Sequence, residues 1–421
     1  MREMKDSGVE WIGEIPSDWN CMCLKFAFDN SNVGESVDKE LYSSDENGYI
    51  FYTAGAKPVK TSYTGFPNWK YTTDNDILLA RNGTPYIYLP KKDAVYSDHI
   101  IRIDIKKGYD RRFLRYCLQR SIESIIVDSV SIATWSISLW KEQKLPMTSY
   151  NEQEHIADYL DSKCSQIDAI IEKQQAIIEK LKEYKLSVIT EVVTKGLNAN
   201  AEMKDSGVEW LGKYPAHWQY LSFKNVLLER NEKNIPVKTE ERLSLSIDKG
   251  VTLYAEKTTN LDRFKDDVSQ YKLAHEGDLV LNSMNMIVGA VGVSEYFGCV
   301  SPAYYTYYDT EEDHITTKYC EYLLRCKTMR KVLYSLGKGI MSIDRGDDKI
   351  NTCRLKVSRN DLRALKIPVP PVEEQRDIVK YLFHKEQIID KSISDREYAI
   401  AKLQEYKKSL IYEVVTGKKE V

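Results

Sequence analysis

The stretch Glu152–Thr194, EQEHIADYLDSKCSQIDAIIEKQQAIIEKLKEYKLSVITEVVT, returns at Glu374–Thr416 as EQRDIVKYLFHKEQIIDKSISDREYAIAKLQEYKKSLIYEVVT. The two copies lie at an offset of 222, without a gap, and agree at 21 of 43 positions. In the first copy apolar residues recur at steps of four and three: Ile156, Leu160, Ile167, Ile170 or Ile171, Ile177, Leu181, Tyr184 and Val188. That is the seam of a long amphipathic helix. No Pro or Gly interrupts either copy, so each is expected to run unbroken for roughly 60 Å at about 1.5 Å per residue. A lone helix of that length with one apolar stripe is poorly stabilised in water. Two so alike in one chain are expected to pack on each other, antiparallel.

A second repeat lies upstream of each helix. Met4–Trp19, MKDSGVEWIGEIPSDW, returns at Met203–Trp218 as MKDSGVEWLGKYPAHW, with eleven of sixteen positions shared at an offset of 199. The two offsets divide the chain into equivalent halves, each a Trp/Pro segment, a variable globular region and a long helix. The difference of the offsets makes the second globular region longer by 23 residues, most of them assigned to Arg345–Asn360. The Trp/Pro segment lacks residues suited to catalysis, and Trp11, Pro16 and Trp19 suit a packing clasp. The expected domains are 1–146, a helix at 147–197, 198–368, and a second helix at 369–421.

Composition narrows the classes. With 421 residues, 42% hydrophobic and 29% charged, the chain has material for two or three cores. No run approaches eighteen apolar residues and the N-terminus has no signal-peptide core, so a cytoplasmic, membrane-free protein is expected. The eight cysteines and six histidines form no zinc-finger or HExxH spacing, and the thiols are expected to be reduced packing groups. Net charge is −3, but local fields matter more than the total. Arg102–Arg120 holds seven basic residues against Asp104 and Asp110, and Lys318–Lys338 holds six against Glu321.

The variable regions share an order but little identity. DILLARNGTPYIYLP carries a buried-strand pattern and then a turn at Asn82-Gly83. AVYSDHIIRIDI alternates like a strand, and RRFLRYCLQRSIESIIVDS has helical spacing with a basic outer face. In the second half GDLVLNSMNMIVGAVGV and TKYCEYLLRCKTMRKVLYS stand in the corresponding places. Mixed α and β structure follows in both.

Chemistry is missing. There is no GxxxxGK[ST] loop, no Asp/Asn-Pro-Pro-Tyr/Phe segment, no PD…ExK arrangement and no GxSxG elbow. Glu152, Glu183 and Glu191 read as solvated helix faces. Recognition remains: two compact regions held by a helical spacer that acts as a ruler, a device that suits DNA because faces of the duplex recur about every 34 Å.

The paired Trp/Pro segments, PVPPVEEQ, Ile167-Asp168 with Ile389-Asp390, and EYKKSLIYEVVTGK together resemble a type I restriction–modification specificity subunit, over the whole chain. LPMTSYNEQ departs from the pattern by lacking the double proline, and Phe383-His384 stands in place of Asp161-Ser162. The resemblance implies a mixed α/β fold with two target recognition domains, two long antiparallel coiled-coil helices and an internal pseudo-twofold. It implies that each domain reads one half of a split, asymmetric DNA target. The helices would dock two methyltransferase subunits that bring S-adenosylmethionine, and restriction subunits would bring ATP and Mg. The chain itself would catalyse nothing and hold no cofactor. Two other readings compete: a coiled-coil adaptor presenting two protein-binding domains, and a specificity module serving a methyltransferase without restriction.

Base readout needs paired donors and acceptors on a rigid support. In the first domain Arg81, Asn82 and Thr84 at the turn, with Tyr86 nearby, are the candidates, while Lys91 and Lys92 suit phosphate. Trp135 is a candidate for sugar or base, with a place in the core as the competing reading. In the second domain the equivalents are Asn282, Ser283 and Asn285, then Lys338 and Arg345. The basic helices at 111–120 and 325–331 suit phosphate contact or solvation. Glu183, Tyr184, Glu405 and Tyr406, at matching helix positions, suit either helix–helix packing or contact with methyltransferase subunits.

Overall fold

A computed structural model describes residues 2–43, 48–128, 134–256, 267–310, 313–339 and 355–421. The two long helices are present, Tyr150–Lys195 and Val372–Val415. The chain gathers into two compact units, one of residues 1–174 with 397–421 and the other of residues 175–396. Each unit thus holds one globular region, the near part of the helix that leaves it and the far part of the other helix. This differs from a division in which the helices stand as domains of their own. The reason is packing: each apolar stripe belongs to a core made mostly of the globular region.

In the first unit Met4–Asp6 pairs antiparallel with Glu14–Pro16, and Asn20–Cys23 with Lys144–Met147, the strand that leads into the first long helix. A four-stranded antiparallel sheet follows, in the order Phe28–Val33, Ile100–Ile105, Asp76–Ala80, Ile87–Tyr88. The unbroken apolar run Ile77–Ala80 is explained by burial on both faces. Ile77 and Leu79 join the main core with Phe113, Cys117, Leu160, Ile167 and Val414. Leu78 and Ala80 face a second cluster with Tyr52, Tyr96 and Ile100.

The second unit repeats this plan. Met203–Asp205 pairs with Lys213–Pro215, and Gln219–Ser222 with Lys366–Val369, which leads into the second long helix. Its four-stranded sheet has the same order: Leu228–Arg230, Tyr304–Tyr308, Leu279–Asn282, Val291–Val293. Leu279 and Leu281 face the main core and Val280 the opposite cluster. The duplication therefore extends into the globular regions, where sequence identity is low. The units differ in what is added. The first carries a small sheet ordered Val95–Tyr96, Tyr49–Tyr52, Val59–Thr61, Tyr42–Ser43, and the second carries a hairpin of Leu243–Ser246 with Gly250–Leu253.

Within each unit the two helices run antiparallel. In the second unit Lys185 meets Glu386 at 3.1 Å and Asp390 at 2.8 Å, while the Tyr319 hydroxyl donates to the carbonyls of both Val193 and Pro368. In the first, Lys407 meets Asp168 at 2.6 Å, and Arg2 bridges Glu152 and Glu420. The seam departs from the expected spacing. Ile170 and Tyr184 are exposed, and the buried line passes through Ile167, Ile178 and Ile189, with Ile171 partly covered. At position 185 it carries a lysine whose stem is covered and whose charge is met by the acids opposite.

Candidate nucleic-acid interface

The Trp/Pro segments are the frame on which both candidate surfaces are built. Trp19 is buried at the opening of the first long helix, and its indole N–H donates to Glu152 at 3.1 Å. Trp218 does the same to Glu374 at 3.0 Å, with His217 on the same oxygen at 2.7 Å. Glu152 is therefore an indole acceptor and an ion-pair partner of Arg2, not the solvated face expected for it. Burial alone pushes its carboxyl up. Hydrogen bonds from Thr148, Arg2 and Trp19, with the charge of Arg2, outweigh this and hold it below the usual glutamate range. The following glutamines, Gln153 and Gln375, donate to Thr148 and Pro370 carbonyls just before each helix. The shared Glu-Gln thus fixes where each helix starts. Gly417, at φ +70°, closes against Pro16 and Trp19, and Gly196, at φ +76°, against Trp218 and Pro215. A side chain at either glycine would meet a ring.

In the first unit the turn after Asp76–Ala80 carries Arg81, Asn82 and Thr84, with Gly83 at φ +67°. Arg81 is half-buried, and its guanidinium donates to the Asp98 carbonyl at 3.2 Å. Asn82 shares a 2.8 Å hydrogen bond with the ring of exposed His99. Gly83 and Thr84 are exposed at the tip, Tyr86 is half-covered beside Tyr88, and Lys91 and Lys92 are exposed on the next turn. Arg81, Asn82, Thr84 and Tyr86 lie within one hairpin, with Lys91 and Lys92 just beyond it. Nothing in the sequence signals that His99, 17 residues on, meets Asn82.

Of the two readings of Trp135, a DNA contact or a place in the core, its position fits the core one. It is 1% exposed and packs on Trp140 with ring centroids 5.2 Å apart. Its backbone N–H braces the Arg81 carbonyl, so it supports the turn from beneath. The second unit corrects two further candidates. Ser283 is fully buried, and Asn282, 7% exposed, spends its side-chain oxygen on the N–H groups of Met284 and Asn285. A buried side chain whose oxygen is committed to its own turn cannot offer a base the paired donor and acceptor that readout needs. Asn285 itself is exposed, with Met284 and Val288 beside it. Lys338 is exposed and paired with Asp361 at 3.0 Å. Arg345 lies outside the described residues.

The basic helix at Arg111–Asp128 is less free than its charge suggests. Arg112 is held by Asp110, Asp158 and Asp161, Arg120 by Glu123, and Arg111 donates to the carbonyls of Asp76 and Pro90. Arg102 is spent on Asp76 and the carbonyls of Trp69 and Tyr71. On the long helices Tyr184 and Tyr406 are 53% and 54% exposed, with Glu183 and Glu405 exposed beside them. They are not part of the helix seam. Among the described residues no group of three or more His, Cys, Asp or Glu is placed to hold a metal ion, and no helix is long and apolar enough to cross a membrane.

This architecture of two αβ units with long helices has known counterparts. Residues 16–183 match the type I restriction modification DNA specificity domain. Over 97% of its length the chain is 22% identical to a putative type I restriction enzyme MjaX specificity subunit of Methanocaldococcus jannaschii, covering 95% of that protein. It is 23% identical, over 96% of its length and 93% of the relative, to the type I restriction enzyme MjaVIII specificity subunit of the same organism. Among solved structures, its fold is similar to a chain from work on complex assembly and conformational transition of the type I R-M system. That match has a TM-score of 0.66 and 14% identity, and covers 95% of this chain and 98% of the other. The HsdS subunit of Thermoanaerobacter tengcongensis gives a TM-score of 0.50 and 14% identity over 96% and 98% of the two chains.

Proposed function

We propose that the chain is the sequence-specific DNA-recognition subunit of a type I restriction–modification complex, each globular region reading one half of a split, asymmetric target. The observation that carries this reading is a frame duplicated down to its Trp–Glu hydrogen bond and sheet order, with unlike additions on each copy. A repeated support with different contents suits two readers of different sequences. In the first domain Arg81, Asn82, Thr84 and Tyr86 are assigned to bases and Lys91 and Lys92 to phosphates. In the second, Asn285 is assigned to a base, with Lys338 near the backbone.

The exposed pairs Glu183–Tyr184 and Glu405–Tyr406 present the same chemistry twice, which suits two copies of one partner, the methyltransferase subunit. Restriction subunits would join that assembly. S-adenosylmethionine, ATP and Mg belong to those partners in this reading, and no residue here is given a catalytic role. The test is selection from a random duplex library by the chain together with its methyltransferase subunits. Recovery of a two-part motif with a fixed unread gap supports the reading. Recovery of a continuous motif, or of no motif, overturns it.

A further inference from the structure

Beside the Asn82–Thr84 turn the first unit contains a cavity of about 530 Å³, within the usual range for small-molecule sites. Tyr52, Tyr86 and Tyr88 line one side, with Tyr52 and Tyr88 rings 5.3 Å apart and Tyr86 and Tyr88 rings 6.1 Å apart. Arg115 and Gln119, one helical turn apart, line the other. Tyr88 is fixed in place, its hydroxyl donating to the carbonyls of Thr53 and Gly55. Among the described residues, neither the Arg115 guanidinium nor the Gln119 amide has a hydrogen-bond or ion-pair partner, although Arg115 lies over the Tyr116 ring.

The other half of the chain supplies the internal comparison. Phe113, Tyr116 and Cys117 correspond to Tyr319, Tyr322 and Leu323, so Arg115 and Gln119 correspond to Glu321 and Arg325. There the two side chains pair at 3.1 Å, Glu321 accepts from the Val293 N–H, and Arg325 donates to the Ile247 carbonyl of the hairpin. Gly292, on the strand that matches Ile87–Tyr88, packs against Gly250 of that same hairpin. The second unit thus closes this space with its own backbone and satisfies its polar groups. Among the described residues the first leaves it open, lined by tyrosines and by donors with no partner.

We propose that this cavity is a nucleobase site, selective for purines. Aromatic faces stack on any base, whereas a Gln amide and an Arg guanidinium complement the two-atom edges of adenine and guanine. The base comes from one of two sources, a free nucleotide or an unpaired base of bound DNA, and only the second rests on the DNA-recognition reading. The experiment uses the full chain with each of the four free deoxynucleoside monophosphates, and with a duplex carrying one bulged purine. Saturation-transfer NMR reads protein-to-base contact and calorimetry reads affinity. Gln119→Leu and Arg115→Met are the variants, with thermal midpoints checking that both fold.

The expected result is saturation of purine H8 protons, with affinity falling at least tenfold in each variant. Signal from free purines identifies a nucleotide site, and signal from the bulged duplex alone identifies a strand-borne base. No base contact in either arm, or contact unchanged in both variants, overturns the inference. Library selection by the same variants keeps the readings apart, since an intact two-part motif with no pocket binding sinks the pocket alone.

Discussion

Trp19 and Trp218 each carry one polar atom into a core, and an indole N–H left without an acceptor there costs more than the bond itself returns. Glu152 and Glu374 supply the acceptors. Glu152→Ala is expected to destabilise the first unit by about 1–3 kcal/mol, since it strips Trp19 and Arg2 together. The pH dependence has a definite sign. A carboxyl held below its unfolded value stabilises above that value, and the contribution is lost as pH falls through the lowered folded one. Thermal melts between neutral and acid pH should show a flatter acid limb in the variant, and identical limbs would contradict the assignment. Arg81 makes the corresponding prediction for recognition. If it is bidentate to a base, Arg81→Ala should cost about 1–3 kcal/mol and relax one half-site only. Equal loss on all sequences, measured by binding to half-site variants, would make it a phosphate contact instead.

At the scale of elements, the helices exchange one pair of charges twice. Asp168 with Lys407 and Asp390 with Lys185 are the same two positions of the repeat, taken once from each copy. Such pairs at a seam select the antiparallel register over its alternatives. Because the acids are more than half exposed, solvent screening limits each pair to about 0.2–1 kcal/mol. Lys185→Asp should therefore lower the unfolding free energy in denaturant slightly. Adding Asp390→Lys should recover most of the loss, and losses that simply add would show that the pair is not coupled.

The long helices and Trp/Pro segments were legible in the sequence because each copy serves as a comparison for the other. In the globular regions the shared order of segments was legible but the strand pairing was not, since those positions demand apolar side chains rather than particular ones. The candidate surface was legible only as a turn. That Trp135 braces Arg81 from inside and Asn282 is consumed by its own turn depends on tertiary placement, which local pattern does not carry.

At the scale of the molecule, a closely kept frame carries contents that have diverged: an added small sheet in one unit and a hairpin in the other. The central claim is that these contents read two different DNA sequences for a partner methyltransferase. The most direct measurement is methylation-sensitive sequencing of the host genome with and without this gene. Disappearance of a split adenine motif, two unlike half-sites at one constant spacing, is the predicted result. An unchanged methylation pattern in a host with an active partner methyltransferase, or loss of a continuous motif, would contradict it.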